Sequence, residues 1–560
     1  MFLLLLHTAA AIPGLTRPML GGRFFRHVEW FLGRLARNDL FAIVITFLFA
    51  LTLRVAVLPL VPPGFPVIHD EYSYLLQADT FASGHLAMPP HPLWEHFQSF
   101  HVLQHPTYAS KFFPGQATFL ALGQKLLGHP WWGVLLSVAA MCAALVWCLR
   151  GFLSPGYAFL GGMIAALQFA TIHYWASSYW GGAVTAIGGC LAVGAVGRLL
   201  NTPDRKSGLL FGVGGVILAA TRPFEGSVLS CVLLIWLMLA AWQRGRGSFP
   251  ALVRTALPAM ALPLALGCGG LLYFNYNVTG EAFTFPYVAY TKQYDAAYAT
   301  GKPESVPFPA DMPREMRRYH TEWGYPAAAQ AATLRGRLAS LPHRFDMLSS
   351  LLYPIFFLPA FLAPLAFFAS RPTRAPALAT LAVLAASLFY MWSLPHYFAP
   401  ALGLFSVLWL RIFRWLRAVK LFGRPVGLSL VRLLPCVLAA VTVLGVRDYP
   451  RRQPSGNQLQ AAVRQQVEAR LEALPGDHLV IVTYRPDSNV HAEWVYNRAD
   501  IDHARIVWAR DLGPEKNAAL VAYFKDRHLW CATVGAANVD FGPCPGSAPP
   551  SGQPPPPGPP

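Results

Sequence analysis

Residues 40–59 read LFAIVITFLFALTLRVAVLP, a run whose one ionisable side chain is Arg54. A bilayer's hydrocarbon core asks for roughly 20 such residues in a helix, so this stretch decides the class of the fold. Ten further segments share its character: 131–149, 156–174, 183–200, 208–221, 226–242, 255–275, 349–369, 376–394, 397–413 and 427–446. Composition agrees. Hydrophobic residues make up 54% of the 560 and charged residues 13%, with a mean hydropathy of +0.39. A soluble domain carries about 25% charged residues to dress its surface. These proportions exclude a soluble enzyme, a disordered chain and a small disulfide scaffold. They predict an all-α polytopic membrane protein of about 11 transmembrane helices.

Lysine and arginine total 44 against 27 acids, a net charge of +17. As a bulk figure that would suit a nucleic-acid binder, which gathers its charge on one soluble face. Here the charge follows the spans instead, and nucleic acid is excluded as a partner. Arg17, Arg23, Arg26, Arg34 and Arg37 precede the first span. Every second connection is then basic, from Arg150 through Arg205, Arg244 and Arg371 to the run Arg411–Arg424. The intervening short connections hold only Arg222. Basic connections face the cytoplasm. Residues 1–39 are therefore a cytoplasmic or interfacial segment, and 40–446 the transmembrane domain. Its large loops 60–130 and 276–348, and everything after 446, lie outside. The opening MFLLLLHTAAAIPG lacks the basic start of a signal peptide. It reads as an interfacial segment, or as lying upstream of a true start at Met19.

Residues 447–544 alternate helical and β-like runs, with strands expected at 478–484, 505–508 and 530–534 and a helix at 515–524. That pattern predicts a small extracytoplasmic α/β domain, followed by a Pro-rich disordered tail over 545–560. Six of the eight cysteines sit in or beside spans; Cys531 and Cys544 are alone outside, where a bond between them is allowed and left open.

The densest polar cluster follows the first span: His69-Asp70-Glu71-Tyr72-Ser73-Tyr74, and on through Gln77 and Asp79. Two carboxylates beside a hydrophobic span are costly unless solvated, paired or functional. On a helix from Ile68 to Ala82, Asp70, Tyr74, Gln77 and Phe81 share one face and Glu71 points about 100° away. The pair is read either as a helix cap or as a catalytic element. Arg222 likewise reads as a phosphate ligand or as a snorkelling arginine paired with Glu225.

HDEYSYLLQADTFASG (69–84) resembles the first external loop of GT-C glycosyltransferases, the superfamily of protein O-mannosyltransferases and lipid A aminoarabinose transferases. Those enzymes carry an Asp-Glu pair after their first span. Tyr108-Ala109-Ser110-Lys111-Phe112-Phe113-Pro114-Gly115 is similar to their Lys-Pro stretch, although here the lysine stands three residues ahead of the proline. The resemblance covers about 450 residues. It implies an integral membrane glycosyltransferase that moves a sugar from a polyprenyl-phosphate donor to an acceptor hydroxyl (protein, lipid or polysaccharide) on the extracytoplasmic face of a bacterial inner membrane. Asp70 is then the match to the catalytic aspartate, with Glu71 beside it. Lys111 and Arg222 are the candidate cations for the lipid phosphate.

Tyr74, Trp180, His396 and Tyr397 are candidate substrate-binding residues, with an interfacial aromatic belt as the simpler explanation of the last three. The segment Phe285–Tyr290 is placed over the acceptor entrance. No cofactor and no metal are expected. Histidines crowd 60–130, and Glu95, His96 and His101 are the one set there worth weighing as zinc ligands. Asp500-Ile501-Asp502 is read as a chance imitation of a nucleotide-sugar motif. The competing function is a transporter or flippase of a lipid-linked or polar substrate, which would carry its ionisable residues near midspan.

Overall fold

The computed structural model describes residues 16–17, 21–244, 248–295, 307–351, 363–536 and 538–546. Most of residues 1–20, the Pro-rich tail from 547 and the centre of the span expected at 349–369 fall outside them. Among the described residues six helices are long and apolar enough to cross a membrane: Asp39–Ala56, Trp131–Arg150, Pro223–Gln243, Phe249–Thr279, Pro395–Leu416 and Val426–Arg451. Four expected spans appear as shorter helices, Pro155–Phe169, Ala183–Leu199, Arg205–Ala219 and Arg371–Ser387. The expected count of about eleven therefore meets six helices of full length.

Small residues let the bundle close near its polar end. A Cβ on Gly189 would stand 1.8 Å from the Pro400 carbonyl oxygen, so the helix Ala183–Leu199 presses directly on the 3₁₀ turn Pro395–Ala401 that carries His396 and Tyr397. A Cβ on Gly64 would stand 1.7 Å from the Ser177 carbonyl oxygen. That close approach joins the connection after the first span to the connection at 173–182.

Arg54 is fully buried at the end of the first span. It donates to the carbonyls of Val61 (2.7 Å) and Pro62 (3.2 Å) and lies over the Trp131 ring. It thus folds the chain back at the membrane boundary, where free carbonyls would otherwise go unmet. The helix Gly22–Leu35 lies at the other end of the bundle, and its Glu29 accepts from both Arg417 and Arg432.

The C-terminal region forms a four-stranded sheet in the order β4-β3-β5-β6. Two-residue strands β1 (Val102–Leu103) and β2 (Ala109–Ser110) pair in the first loop. The sheet strands are β3 (His478–Tyr484), β4 (Ile506–Arg510), β5 (His528–Val534) and β6 (Val539–Pro543). β3 is central, parallel to β4 and β5, and β6 returns antiparallel to β5. The expected strands are present. The unexpected one is β6, whose sequence VDFGP holds both a glycine and a proline; a Cys531–Cys544 disulfide ties its end to β5. The helix Gly456–Ala473 that precedes the sheet starts where it does because Ser455 and Gln458 form a reciprocal cap there.

The sheet unit packs on the first loop. Tyr72 stacks on Tyr496, Arg498 pairs with Asp79 at 3.1 Å, and His96 Nδ1 meets the Arg510 carbonyl at 2.8 Å. Arg510 also reaches Glu315 at 3.1 Å. The three large regions outside the spans therefore meet at one end of the helical bundle.

Candidate active site

The helix His69–Ala82 begins with an extended N-cap residue, Ile68, whose side chain makes no cap. Glu71 supplies the missing acceptor. Its Oε2 takes the Val67 N–H at 2.8 Å and its Oε1 the Tyr179 N–H at 3.0 Å. The cap reading of the acidic pair thus belongs to Glu71, which is 3% exposed and faces backbone. Asp70, on the other face, makes neither of these contacts.

Asp70 Oδ2 lies 3.6 Å from His101 Nε2. Burial pushes the Asp70 carboxyl up, but His101, then Lys111 and His69, outweigh it and hold the group well below the usual carboxylate range. Burial pushes Glu71 the other way, to about 7, against the pull of its backbone donors. The two adjacent carboxyls thus stand in opposed environments.

Lys111 is buried at 5% exposure. Its ammonium sits over three rings, 4.5 Å from the Tyr290 centroid, 4.7 Å from Tyr287 and 5.6 Å from Phe112. No carboxylate pairs with it among the described ion pairs. Burial lowers its pKa, opposed by Asp295 and then Asp70. Asp295 follows the helix Pro286–Tyr294 and stands 2.8 Å from His320 Nε2.

Arg222 is the N-cap residue of Pro223–Gln243. Its guanidinium lies 3.9 Å from the Tyr397 ring and 3.4 Å from Glu225. The pairing with Glu225 anticipated as the simpler reading is therefore present, together with an aromatic face. After the cost of burial, Glu225 and then Tyr397 raise its pKa, so it stays charged. Tyr74 stacks on Phe112 at 4.4 Å, and Arg222 is the charge that acts most strongly on its hydroxyl. His396 Nδ1 meets the Tyr174 hydroxyl at 3.1 Å and its ring lies 4.6 Å from Trp180. The candidates thus form two connected groups: Asp70, Lys111 and Tyr74 on one side, and Arg222, Tyr397, His396 and Trp180 on the other.

The histidine-rich loop divides. Glu95 pairs with Lys516 and His96 with the Arg510 carbonyl, so the zinc set weighed from sequence does not assemble. His101 instead joins His69 and Asp70, and these three offer one ligand atom each within 4.8 Å of one another, a single such group among the described residues. Asp500 pairs with His503, and Asp502 with His91, remote in contact from Asp70.

His101, Tyr290, Asp295 and His320 stand beside or one contact away from Asp70 and Lys111, a placement that sequence reading did not foresee. The density of histidines in one loop was a signal, but it did not single out His101. Nothing local marks Asp295, although a carboxylate at a helix C-terminus opposes the dipole.

An apolar cavity of about 530 Å³ lies among the spans, lined by Leu145, Ile164, Phe169, Leu381, Phe405 and Trp409. Leu384 and Leu402 also line it, and their chain neighbours Val383 and Ala401 line a smaller pocket with Glu225, Arg344 and Tyr397.

No known family matches the sequence, and no curated protein is similar to it. Solved structures similar to the chain include the apo Archaeoglobus fulgidus oligosaccharyltransferase, at 9% identity and a TM-score of 0.49, over 88% of this chain and 69% of that one. The same organism's oligosaccharyltransferase AglB with an inhibitory peptide and a dolichol-phosphate gives 12% and 0.47, over 88% and 69%. Apo ArnT from Cupriavidus metallidurans gives 11% and 0.48, over 88% of this chain and 92% of that one. At these values the likeness says nothing of substrate or chemistry.

Proposed function

We propose that the chain is an integral membrane glycosyltransferase of the extracytoplasmic face, with Asp70 as general base and a polyprenyl-phosphate sugar as donor. The observation that carries this reading is that Asp70 and Lys111 both meet His101, Asp70 at its ring and Lys111 at its carbonyl, with no carboxylate pairing Lys111 among the described residues. A base must lie within reach of an acceptor hydroxyl and be deprotonated when the hydroxyl arrives; the lowered pKa of Asp70 meets the second condition at a cost in basicity, so its placement rather than its pKa supports the assignment. A lipid phosphate needs cations that are not already neutralised.

The reaction is one displacement. The acceptor oxygen bonds to the anomeric carbon while its proton passes to Asp70. The bond from that carbon to the phosphate oxygen breaks, and its electron pair leaves on the phosphate. Lys111 supports that leaving charge. Arg222 is the second cation, and its Glu225 partner makes it the weaker claimant. The prenyl tail occupies the 530 Å³ cavity, whose lining continues through Val383 and Ala401 to Tyr397 beside Arg222. Glu71 is a brace and takes no proton in the reaction. Orientation follows the arginines: the N-terminus is cytoplasmic, and the eleven-span count belongs to this proposal. The sheet unit covers the acceptor side.

The test is mass spectrometry of envelope glycans and glycoproteins from a strain lacking the chain, complemented with wild type or Asp70→Asn. A glycan lost in the deletion, restored by wild type and absent with stable Asp70→Asn protein supports the reading. A phenotype restored by Asp70→Asn sinks it and favours transport.

A further inference from the structure

His101 is one of two non-glycine residues among those described with a positive φ, at 64°. A side chain in the left-handed region is strained, and such strain persists only where the surroundings enforce it. Here every polar part of the residue is engaged except ring Nδ1. Its N–H donates to the Tyr290 hydroxyl at 3.0 Å. Its carbonyl accepts the Ser73 hydroxyl at 2.7 Å and the Lys111 N–H at 3.0 Å. Its ring Nε2 faces Asp70 Oδ2 at 3.6 Å. Phe112 and Tyr290 meet the ring edge-on at 5.5 and 5.9 Å, which limits its rotation.

These contacts join three segments far apart in the chain. Ser73 lies one helical turn beyond Asp70 on the helix His69–Ala82. Lys111 ends the small β1–β2 hairpin. Tyr290 belongs to the helix Pro286–Tyr294 and carries the ring over which the Lys111 ammonium sits. A shift of the His101 backbone would move the base and the cation apart, and a loss of its ring would free Asp70 to turn away.

We propose that His101 is the positioning residue of the site: its left-handed backbone sets the distance between Asp70 and Lys111, and its ring holds one Asp70 oxygen so that the other faces the acceptor hydroxyl. The inference rests on the reading of Asp70 as base. In this arrangement the substrate hydroxyl is presented to Oδ1 alone, and the ring stays outside the bond-making path. The other groups that face His101 are His69 from the same helix as Asp70, Asp295 beyond Tyr290, and Lys111 itself.

The test uses the full-length protein with two substitutions. Asparagine accepts a left-handed backbone but is too short to reach Asp70, whereas glutamine restores an N–H at the reach of Nε2. Two readouts separate positioning from folding: the rate at which the chain-dependent envelope glycan appears after induction, and binding of undecaprenyl phosphate, used as probe, to the purified protein. His101→Asn is expected to slow the glycan roughly 100-fold, the scale of a misplaced reacting group, with probe affinity within threefold of wild type. His101→Gln recovers at least a tenth of the wild-type rate. A wild-type rate for His101→Asn, or a probe affinity that falls together with the rate, overturns the proposal. An active Asp70→Asn protein instead overturns the base assignment beneath it.

Discussion

The backbone N–H of Tyr179 donates to Glu71 Oε1 at 3.0 Å, so a carboxylate read from sequence as catalytic spends itself holding two external connections together. Its other oxygen takes Val67 N–H, close to where Gly64 meets Ser177. This carboxyl is pushed up to about 7 by burial, opposed by its backbone donors. A folded-state pKa above the unfolded value stabilises fully below the unfolded pKa, and the benefit is lost as pH rises through the folded pKa. Thermal melts of the purified protein should fall between pH 5 and 8, by an amount on the order of 3 kcal/mol from this group. Glu71→Gln should flatten that slope; a slope unchanged by the substitution contradicts the assignment.

Asp70→Asn should insert and melt like wild type while losing roughly 10²- to 10⁴-fold in transfer, the range of a general base. The side chain keeps its size, and the buried neighbour His101 retains a polar partner. A loss of protein rather than of rate in membrane fractions would count against a purely chemical role.

Lys111→Met keeps the buried aliphatic stem and removes the charge. Undecaprenyl phosphate binding should weaken about tenfold or more, as expected for a charge-assisted contact worth roughly 1.5–3 kcal/mol. Arg222→Lys should weaken it less, because the charge is kept and Glu225 already shares the arginine, even though lysine lacks the planar face that lies on Tyr397. An Arg222→Lys effect larger than that of Lys111→Met reverses their ranking.

Chelation provides a separate check. His69, Asp70 and His101 are close enough to share an ion, yet a one-step displacement by the acceptor oxygen with Asp70 as base does not need one. Excess EDTA should leave transfer unchanged. A strict requirement restored by zinc or manganese would move these three residues from base and support to ligand set.

Arg510→Met should detach the sheet unit from the rest. Arg510 is 3% exposed, pairs with the buried Glu493 and reaches Glu315 at 3.1 Å. Removing one partner of a buried pair leaves a carboxylate uncompensated, at a cost of about 3–5 kcal/mol. Limited proteolysis should cleave ahead of β3 faster in the variant; protection equal to wild type argues that other contacts, such as Arg498 with Asp79, suffice.

The acidic pair after the first span was legible because two adjacent carboxylates at a membrane boundary are rare. Which of them is free was not, since Asp70 and Glu71 differ by one position and the partners that separate them are Tyr179 and His101. Arg222 stood out as the one basic residue in the short intervening connections, and Lys111 through the resemblance of its stretch to a Lys-Pro motif. The strands of the sheet followed from alternating runs, except β6, whose glycine and proline hide it. Six expected spans meet helices of full length among the described residues, and four meet helices of 15 to 17 residues, such as Pro155–Phe169, because hydropathy alone merges a helix with the apolar connection beside it.

By itself the sequence determined the class of fold and the pattern of charge along the spans, because these depend on local composition and on the bilayer's fixed thickness. Tertiary structure decided which polar residues of the first loop meet. Protonation and orientation depend on burial and on the nearest charges, and at Asp70 those come from His101 and Lys111 further along the first loop, with Tyr290 bracing His101 from another connection.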